Sequence, residues 1–123
     1  RQAHYDLWRK WFGNRQESIV SDDALIEEGV TIYDPVYVGE NVVIRKGASI
    51  GPYTIIGTNS IIEAHAAIDK TILLQNVTVG AESFLYNATI GPYVNVQAMT
   101  TYVQDTVAEN QVLPQHSVKP DVS

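Results

Sequence analysis

The sequence predicts an all-β fold, a parallel β-helix of about four to five coils, and three observations carry that expectation. An aliphatic residue returns at every sixth position through Val20, Ile26, Ile32, Val38, Ile44, Ile50, Ile56, Ile62, Ile68 and Leu74, without a miss. Two places ahead of each stands a residue that is almost always small or β-branched: Ser18, Ala24, Val30, Val36, Val42, Ala48, Thr54, Ser60, Ala66 and Ile72. Turn-forming residues separate the pairs, as in Asp34-Pro35, Gly39-Glu40-Asn41, Gly51-Pro52 and Gly57-Thr58-Asn59.

A step of six on an α-helix turns a side chain by about 240° and scatters the series, whereas residues two apart in a strand share a face. The turn-formers forbid one long strand, so each unit is a short strand followed by a bend. Three units close a coil of eighteen residues, and each aliphatic then lies over its equivalent one coil on. A β-sandwich of short strands is the competing fold, and it does not hold a six-residue phase over ten units.

Residues 1–17 are expected to form an N-terminal helix and linker. In RQAHYDLWRKWFG, Tyr5, Trp8 and Phe12, with Trp11 beside them, fall on one side of a short helix that Gly13-Asn14 would end. Such a helix would cover the open end or a side of the prism and shield unpaired strand edges. The coil occupies residues 18–100. After Leu74 its phase slips, and LLQNVTVGAESFLYNATIGPYVNV starts a new series at Leu73, Val79, Leu85, Ile90 and Val96. From Thr100 the pattern fades into a polar stretch with Pro114 and Pro120, so residues 101–123 are expected to form an irregular cap or tail.

The residue directly before each inward aliphatic points outward, and those eighteen apart stack on one face. Ile19, Tyr37, Ile55 and Leu73 share the first face, Leu25, Val43 and Ile61 the second, and Thr31, Ser49 and Ala67 the third. Two outer faces are therefore apolar, and contiguous apolar surface marks an interface. A homo-oligomer built through Ile19, Tyr37, Ile55, Leu73, Leu25, Val43 and Ile61 is expected.

At 123 residues the chain is one domain's worth, and a body of this size buries roughly two-thirds of the surface its unfolded chain exposes. The net charge of −6 is carried by singly spread acids, which disfavours nucleic acid and anionic membrane as partners. There is no cysteine, so disulfides, thiolate zinc sites and thiol catalysis are excluded and the redox compartment is left open, with cytoplasm as the default. No apolar run reaches the roughly 18 residues that span a bilayer, and the N-terminus lacks the apolar stretch of a signal peptide. The first residue, Arg1, reads as the start of a fragment or a trimmed product.

The repeat resembles the hexapeptide-repeat family. The resemblance implies a left-handed coil, against the right-handed rule for ordinary parallel crossovers, and a trimer. The run Ile50 to Thr100 resembles the β-helix of sugar-1-phosphate nucleotidylyltransferases, and of the archaeal-type and bacterial bifunctional nucleotidylyltransferase/acetyltransferases, phase slip included. In those enzymes a His within a pattern like Pro/Gly-His-Leu-Ser/Thr-Tyr-x-Gly-Asp serves as general base toward a sugar amine. The matching residues here read Gly80-Ala81-Glu82-Ser83-Phe84-Leu85-Tyr86-Asn87. Ala81 stands at the base, and Tyr86 at the glycine that leaves room for substrate. Gln97-Ala98-Met99-Thr100 replaces a Gly-Ala-Gly-Thr run, and Gly51 and Asp69 replace a phosphate-binding Arg and Lys.

Without an imidazole at that position no group takes a proton from an attacking amine, and without basic residues nothing holds a pyrophosphate. The resemblance thus implies the β-helix domain of a sugar-nucleotide pyrophosphorylase-like nucleotidyltransferase, mainly an oligomerisation module, with acetyl transfer lost and no cofactor or metal. The alternative is a hexapeptide acyltransferase that uses acetyl-CoA on a sugar or amino substrate, with His65, at a prism corner, as its base. A solvated turn residue is the plainer reading of His65. A zinc site from His4, His65 and His116 would need gaps of 61 and 51 residues instead of the paired spacing of γ-type carbonic anhydrases. Nucleotidylyl transfer depends on a separate N-terminal α/β domain with a glycine-rich loop. IGPYTIIG is no such loop, because its glycines relieve bends inside the repeat. If that domain precedes this chain, AHYDLWRKWFG is the joint. A stand-alone scaffold or binding module is the third reading.

Overall fold

The computed structural model describes residue 13, residues 16–103, and the strand backbone at 106–107, 112–113 and 118–119. The helix expected at the N-terminus lies outside the described residues. The chain is a left-handed parallel β-helix of about five turns, with three sheets of six strands each. The first sheet holds β1 (Ile19–Val20), β4 (Val36–Val38), β7 (Thr54–Ile56), β10 (Ile72–Leu73), β13 (Thr89–Ile90) and β16 (Thr106–Val107). The second holds β2 (Leu25–Ile26), β5 (Val43–Ile44), β8 (Ile61–Ile62), β11 (Thr78–Val79), β14 (Asn95–Val96) and β17 (Val112–Leu113). The third holds β3 (Thr31–Ile32), β6 (Ser49–Ile50), β9 (Ala67–Asp69), β12 (Phe84–Tyr86), β15 (Thr101–Val103) and β18 (Val118–Lys119). The coil thus runs past the boundary expected at Thr100, with strands where an irregular tail is predicted. A parallel ladder is made by backbone groups, and a strand at the end of the stack pairs without an apolar series of its own.

Register shows where the phase changes. Val20 pairs with Val38, Ile44 with Ile62 and Ile50 with Ile68, each eighteen residues on. From there Ile56 pairs with Leu73, Ile62 with Val79, Ile68 with Leu85 and Leu73 with Ile90, each seventeen on. One residue has left the corner between the third and first sheets. Ile50 and Ile56 are six apart, whereas Ile68 and Leu73 are five apart, as are Leu85 and Ile90.

The slip therefore precedes Leu73 and corrects two expectations. Leu74, tenth in the six-residue series, is 39% exposed, and Leu73, assigned to the outer face, is fully buried in the core. Its outward place is taken by Ile72, the neighbour of Ile55 in the ladder, and the small inward place by buried Thr71.

The interior is an aliphatic column, with Ile44, Ile50, Ile56, Ile62, Ile68, Leu73, Leu85 and Ile90 completely buried. Each such side chain contributes about 1.5–3 kcal/mol by leaving water. Buried hydroxyls close the corners where the column narrows. Ser60 Oγ donates to Leu74 O at 3.2 Å and accepts the Val77 N–H at 3.1 Å. Ser83 Oγ donates to Gln97 O at 2.9 Å and accepts the Thr100 N–H at 3.2 Å, and Thr71 Oγ1 links Asp69 O with the Ala88 N–H. An N–H left unpaired at such a depth is costly, so a small polar residue serves there better than an apolar one.

From Asn41 on, every described bend places at least one residue in the left-handed region. At the corner after the first sheet these are Asn41, Asn59, Asn76 and Tyr93, with φ of 58°, 65°, 59° and 64°. Asparagine tolerates this conformation better than most residues, and the Asn41 side-chain amide donates to Asn59 Oδ1 at 2.6 Å. One coil earlier Asp23 accepts the Asn41 N–H at 2.9 Å and the Ser21 hydroxyl at 2.8 Å. Those two bonds, the backbone one foremost, hold its carboxyl below the usual carboxylate range. The depressed value means that any stabilisation from Asp23 is present above that range and fades as the pH falls through it.

Leu73→Ala is expected to cost about 2–5 kcal/mol in chemical denaturation, and Leu74→Ala no more than about 0.5 kcal/mol. The reverse ranking would move the phase slip. Ser83→Ala, which orphans the Thr100 N–H, is expected to cost about 1–3 kcal/mol in the same measurement.

Candidate functional site

The corner between the second and third sheets carries a column of side chains immediately after the inward residue of each coil: Glu27, Arg45, Glu63, Gly80 and Gln97. Arg45 bridges its neighbours, with Nη1 3.2 Å from Glu27 Oε2 and Nε 3.4 Å from Glu63 Oε1. These pairs are partly solvated and add little stability. At Gly80 the column has no side chain. A Cβ there would stand 2.4 Å from the Ala98 nitrogen and 2.6 Å from the Gln97 carbonyl carbon, so the close approach of two coils requires glycine. Gly80 also borders a recess of about 410 Å³, lined by Glu63, Thr78, Asn95 and Gln97 among others.

Ala81 follows Gly80 and offers only backbone, its carbonyl accepting the Met99 N–H at 2.8 Å. His65 lies at the same corner one coil before. It is exposed, has φ of 62°, and donates its backbone N–H to Lys46 O at 3.0 Å. Its ring covers Gly47, whose Cβ, if present, would be 2.3 Å from Nδ1. Among the described residues the imidazole makes no hydrogen bond or ion pair. His4 and His116 lie outside the described residues, and among the described residues no three acidic, His or Cys groups come together as a metal site.

The corner between the third and first sheets brings Asp69 beside Tyr86 in the ladder. Asp69 Oδ1 is buried and 3.9 Å from Lys70 Nζ. The Lys70 ammonium stands 5.6 Å from the Tyr86 ring centroid, and Phe84 stacks on Tyr86 with centroids 6.4 Å apart at 14°. Six-residue spacing does not reveal the Phe84, Tyr86 and Lys70 group. The shorter coil sets it, and its sequence signal is the five-residue step from Ile68 to Leu73.

The outer faces differ from one another. On the first sheet Ile19 is exposed and Tyr37 half-buried, while Ile55 and Ile72 are 4% and 2% exposed. A groove of about 680 Å³ runs beside them, lined by Tyr37, Ile55, Ile72 and Leu74 among others. On the second sheet Leu25 is 55% exposed, Val43 and Ile61 are half-buried, and the column turns polar at Thr78 and Asn95. The third carries Thr31, Ser49, Ala67 and exposed Phe84. Of the seven residues expected to form an apolar outer surface, Leu73 is in the core and Ile55 is already covered. Among the described residues no helix is long and apolar enough to cross a membrane.

Comparison with known proteins gives a family and a fold. The family described as the GMPPB C-terminal domain matches residues 32–122. No curated protein matches the chain by sequence. Among solved structures, PerB from Caulobacter crescentus, in complex with CoA and GDP-perosamine, is 21% identical with a TM-score of 0.56, over 97% of this chain and 60% of that one. The H141A mutant of the GDP-perosamine N-acetyl transferase from the same organism is 22% identical with a TM-score of 0.55, over 96% and 59%. The acetyltransferase domain of PglB from Neisseria gonorrhoeae FA1090 is 15% identical with a TM-score of 0.57, over 89% and 54%. The chain thus spans less than two-thirds of the length of these structures, and what it shares with them is the β-helix.

Gly80→Ala is expected to destabilise the coil by about 1–3 kcal/mol, because its new methyl meets backbone that has no freedom to yield. Chemical denaturation of the substituted chain checks this.

Proposed function

The chain belongs to the family of GMPPB C-terminal domains, and on that premise we propose that it is the assembly domain of a sugar-nucleotide pyrophosphorylase-like nucleotidyltransferase. In this reading it joins copies of a cytoplasmic protein, and nucleotidylyl transfer belongs to a separate α/β domain of a longer chain. The observation that carries it is the Gly80-Ala81 corner. A general base must come within hydrogen-bond reach of the proton it takes, and Ala81 has no group that can take one. His65 covers Gly47 one coil away, with no partner among the described residues to orient it, as catalytic pairs require. At the other corner Asp69 sets a negative charge where a pyrophosphate would need a positive one. Neither acetyl transfer nor a bound cofactor is part of this function.

The second sheet offers the surface for association. Leu25, Val43 and Ile61 stack outward on neighbouring strands, and their burial against another copy would remove an apolar column from water. A trimer is the assembly that the hexapeptide resemblance favours. The acyltransferase alternative rests on His65 acting from its exposed corner.

Val43→Asp or Ile61→Asp is expected to reduce the sedimenting species to a monomer of 13.6 kDa while the β-sheet circular dichroism persists, since a carboxylate cannot be buried unpaired in the contact. A wild-type chain that already sediments as a monomer at micromolar concentration would overturn the assembly role. In calorimetry, CoA is expected to give no binding heat. A heat that His65→Ala removes would favour acyl transfer.

A further inference from the structure

The outer faces of the second and third sheets carry side chains of complementary size, coil by coil. Leu25, Val43 and Ile61 stand outward on the second sheet, and in the same three coils Thr31, Ser49 and Ala67 stand outward on the third. Large accompanies small. In the next coil the order reverses, because Thr78 follows Ile61 on the second sheet while Phe84, 39% exposed, follows Ala67 on the third. The reversal coincides with the recess beside Gly80, which Thr78 and Asn95 line from the second sheet. A projecting ring on one face and a hollow on the other thus share one level of the coil.

We propose, on the assembly role given above, that copies associate with the second sheet of one against the third sheet of the next, coil axes parallel and levels matched, and that Phe84 of each copy enters the Gly80 recess of its neighbour. Three observations select a second copy placed in this way. The first is area. Six strands about 4.8 Å apart make a face about 24 Å tall, and six extended residues at about 3.3 Å limit its width to about 20 Å, so one face offers less than about 500 Å². A standard contact buries about 800 Å² on each partner. A copy that meets two neighbours through two different faces gives up twice the area of one, and such a head-to-tail contact closes into a ring. The second is the state of the first sheet, where Ile55 and Ile72 are 4% and 2% exposed. It has no bare apolar column to lend, which leaves the second and third sheets.

The third observation is charge. A ring of this kind turns the corner between its two contact faces toward the axis, and the corner between the second and third sheets alternates in sign: Glu27 and Glu28, then Arg45 and Lys46, then Glu63. Acids of one copy there lie one coil from bases of the next. The corner between the first and second sheets presents Asp22, Asp23 and Glu40, all exposed, and no basic residue in its described bends. Gathering that corner from several copies would set like charges together. A pairing of the second sheet with itself would leave Phe84 in water and set Thr78 against Thr78 across two hollows.

The chain has no cysteine, so single introduced thiols report which faces meet. Val43→Cys and Ser49→Cys chains, refolded together and treated with a short thiol-to-thiol cross-linker, are expected to give a covalent pair, and neither variant alone should do so. Phe84→Ala is expected to raise the dissociation constant of the assembly at least tenfold in sedimentation, with the β-sheet circular dichroism unchanged. Adding Thr78→Phe restores the size order of the other three coils and should recover most of that loss, a rescue that a merely local role of Phe84 would not give. Cross-linking of Val43→Cys chains to one another would overturn the proposal by assigning the contact to the second sheet alone. An oligomeric wild type whose mixed variants give no covalent pair, or a Phe84→Ala change without effect or without rescue, would overturn it while leaving the assembly role standing. A wild-type chain that sediments as a monomer at micromolar concentration would remove the assembly role and the proposal together.

Discussion

Each coil of this protein must set one aliphatic side chain directly over its equivalent in the coil before, and the rest of the structure depends on that stacking. The strands are only two or three residues long, too short to hold together by their own ladder, so stability comes from a column that every coil extends. The number of residues between stacked positions is free to change only at the bends. When one corner shortens, all later coils adopt seventeen residues in place of eighteen, and the column continues without a gap because the inward residues remain in line.

The bends answer to a second constraint, the pairing of backbone groups at a turn too tight for ladder hydrogen bonds. Serine and threonine turned inward supply the missing partners, and asparagine occupies left-handed positions that most residues avoid. Outward positions are bound by neither requirement. Chemistry in a coil of this kind is therefore written on its corners and outer faces, where Ala81, Asp69 and Tyr86 can differ from a catalytic pattern without disturbing the column.

The same separation explains how one scaffold can divide its surfaces. A shielded pair of isoleucines on the first sheet, an apolar column ending in Thr78 and Asn95 on the second, and the Phe84 and Tyr86 stack on the third belong to three faces that share one interior. In the proposed assembly the second of these faces is closed by neighbouring copies.

The sequence by itself determined the fold, its period and its interior from Val38 to Ile68, because the stacking constraint repeats a visible mark every six residues, whereas Ile26, in the first coil, is 37% exposed. It also located the second series, Leu73, Val79, Leu85, Ile90 and Val96, all of them buried. Ile72-Leu73-Leu74 left the point of slip undecided, since three consecutive aliphatic residues satisfy either phase. Only the pairing of Ile56 with Leu73 sends Leu73 inward and Leu74 to solvent. The site was legible to the same degree. The absence of an imidazole at Ala81 can be read from the chain, whereas the contact of Gly80 with Ala98 and the placing of His65 over Gly47 arise between coils eighteen residues apart. Tertiary structure decided these, because a side chain's exposure is set by what the coil brings across it, and periodicity along the chain specifies direction but not cover.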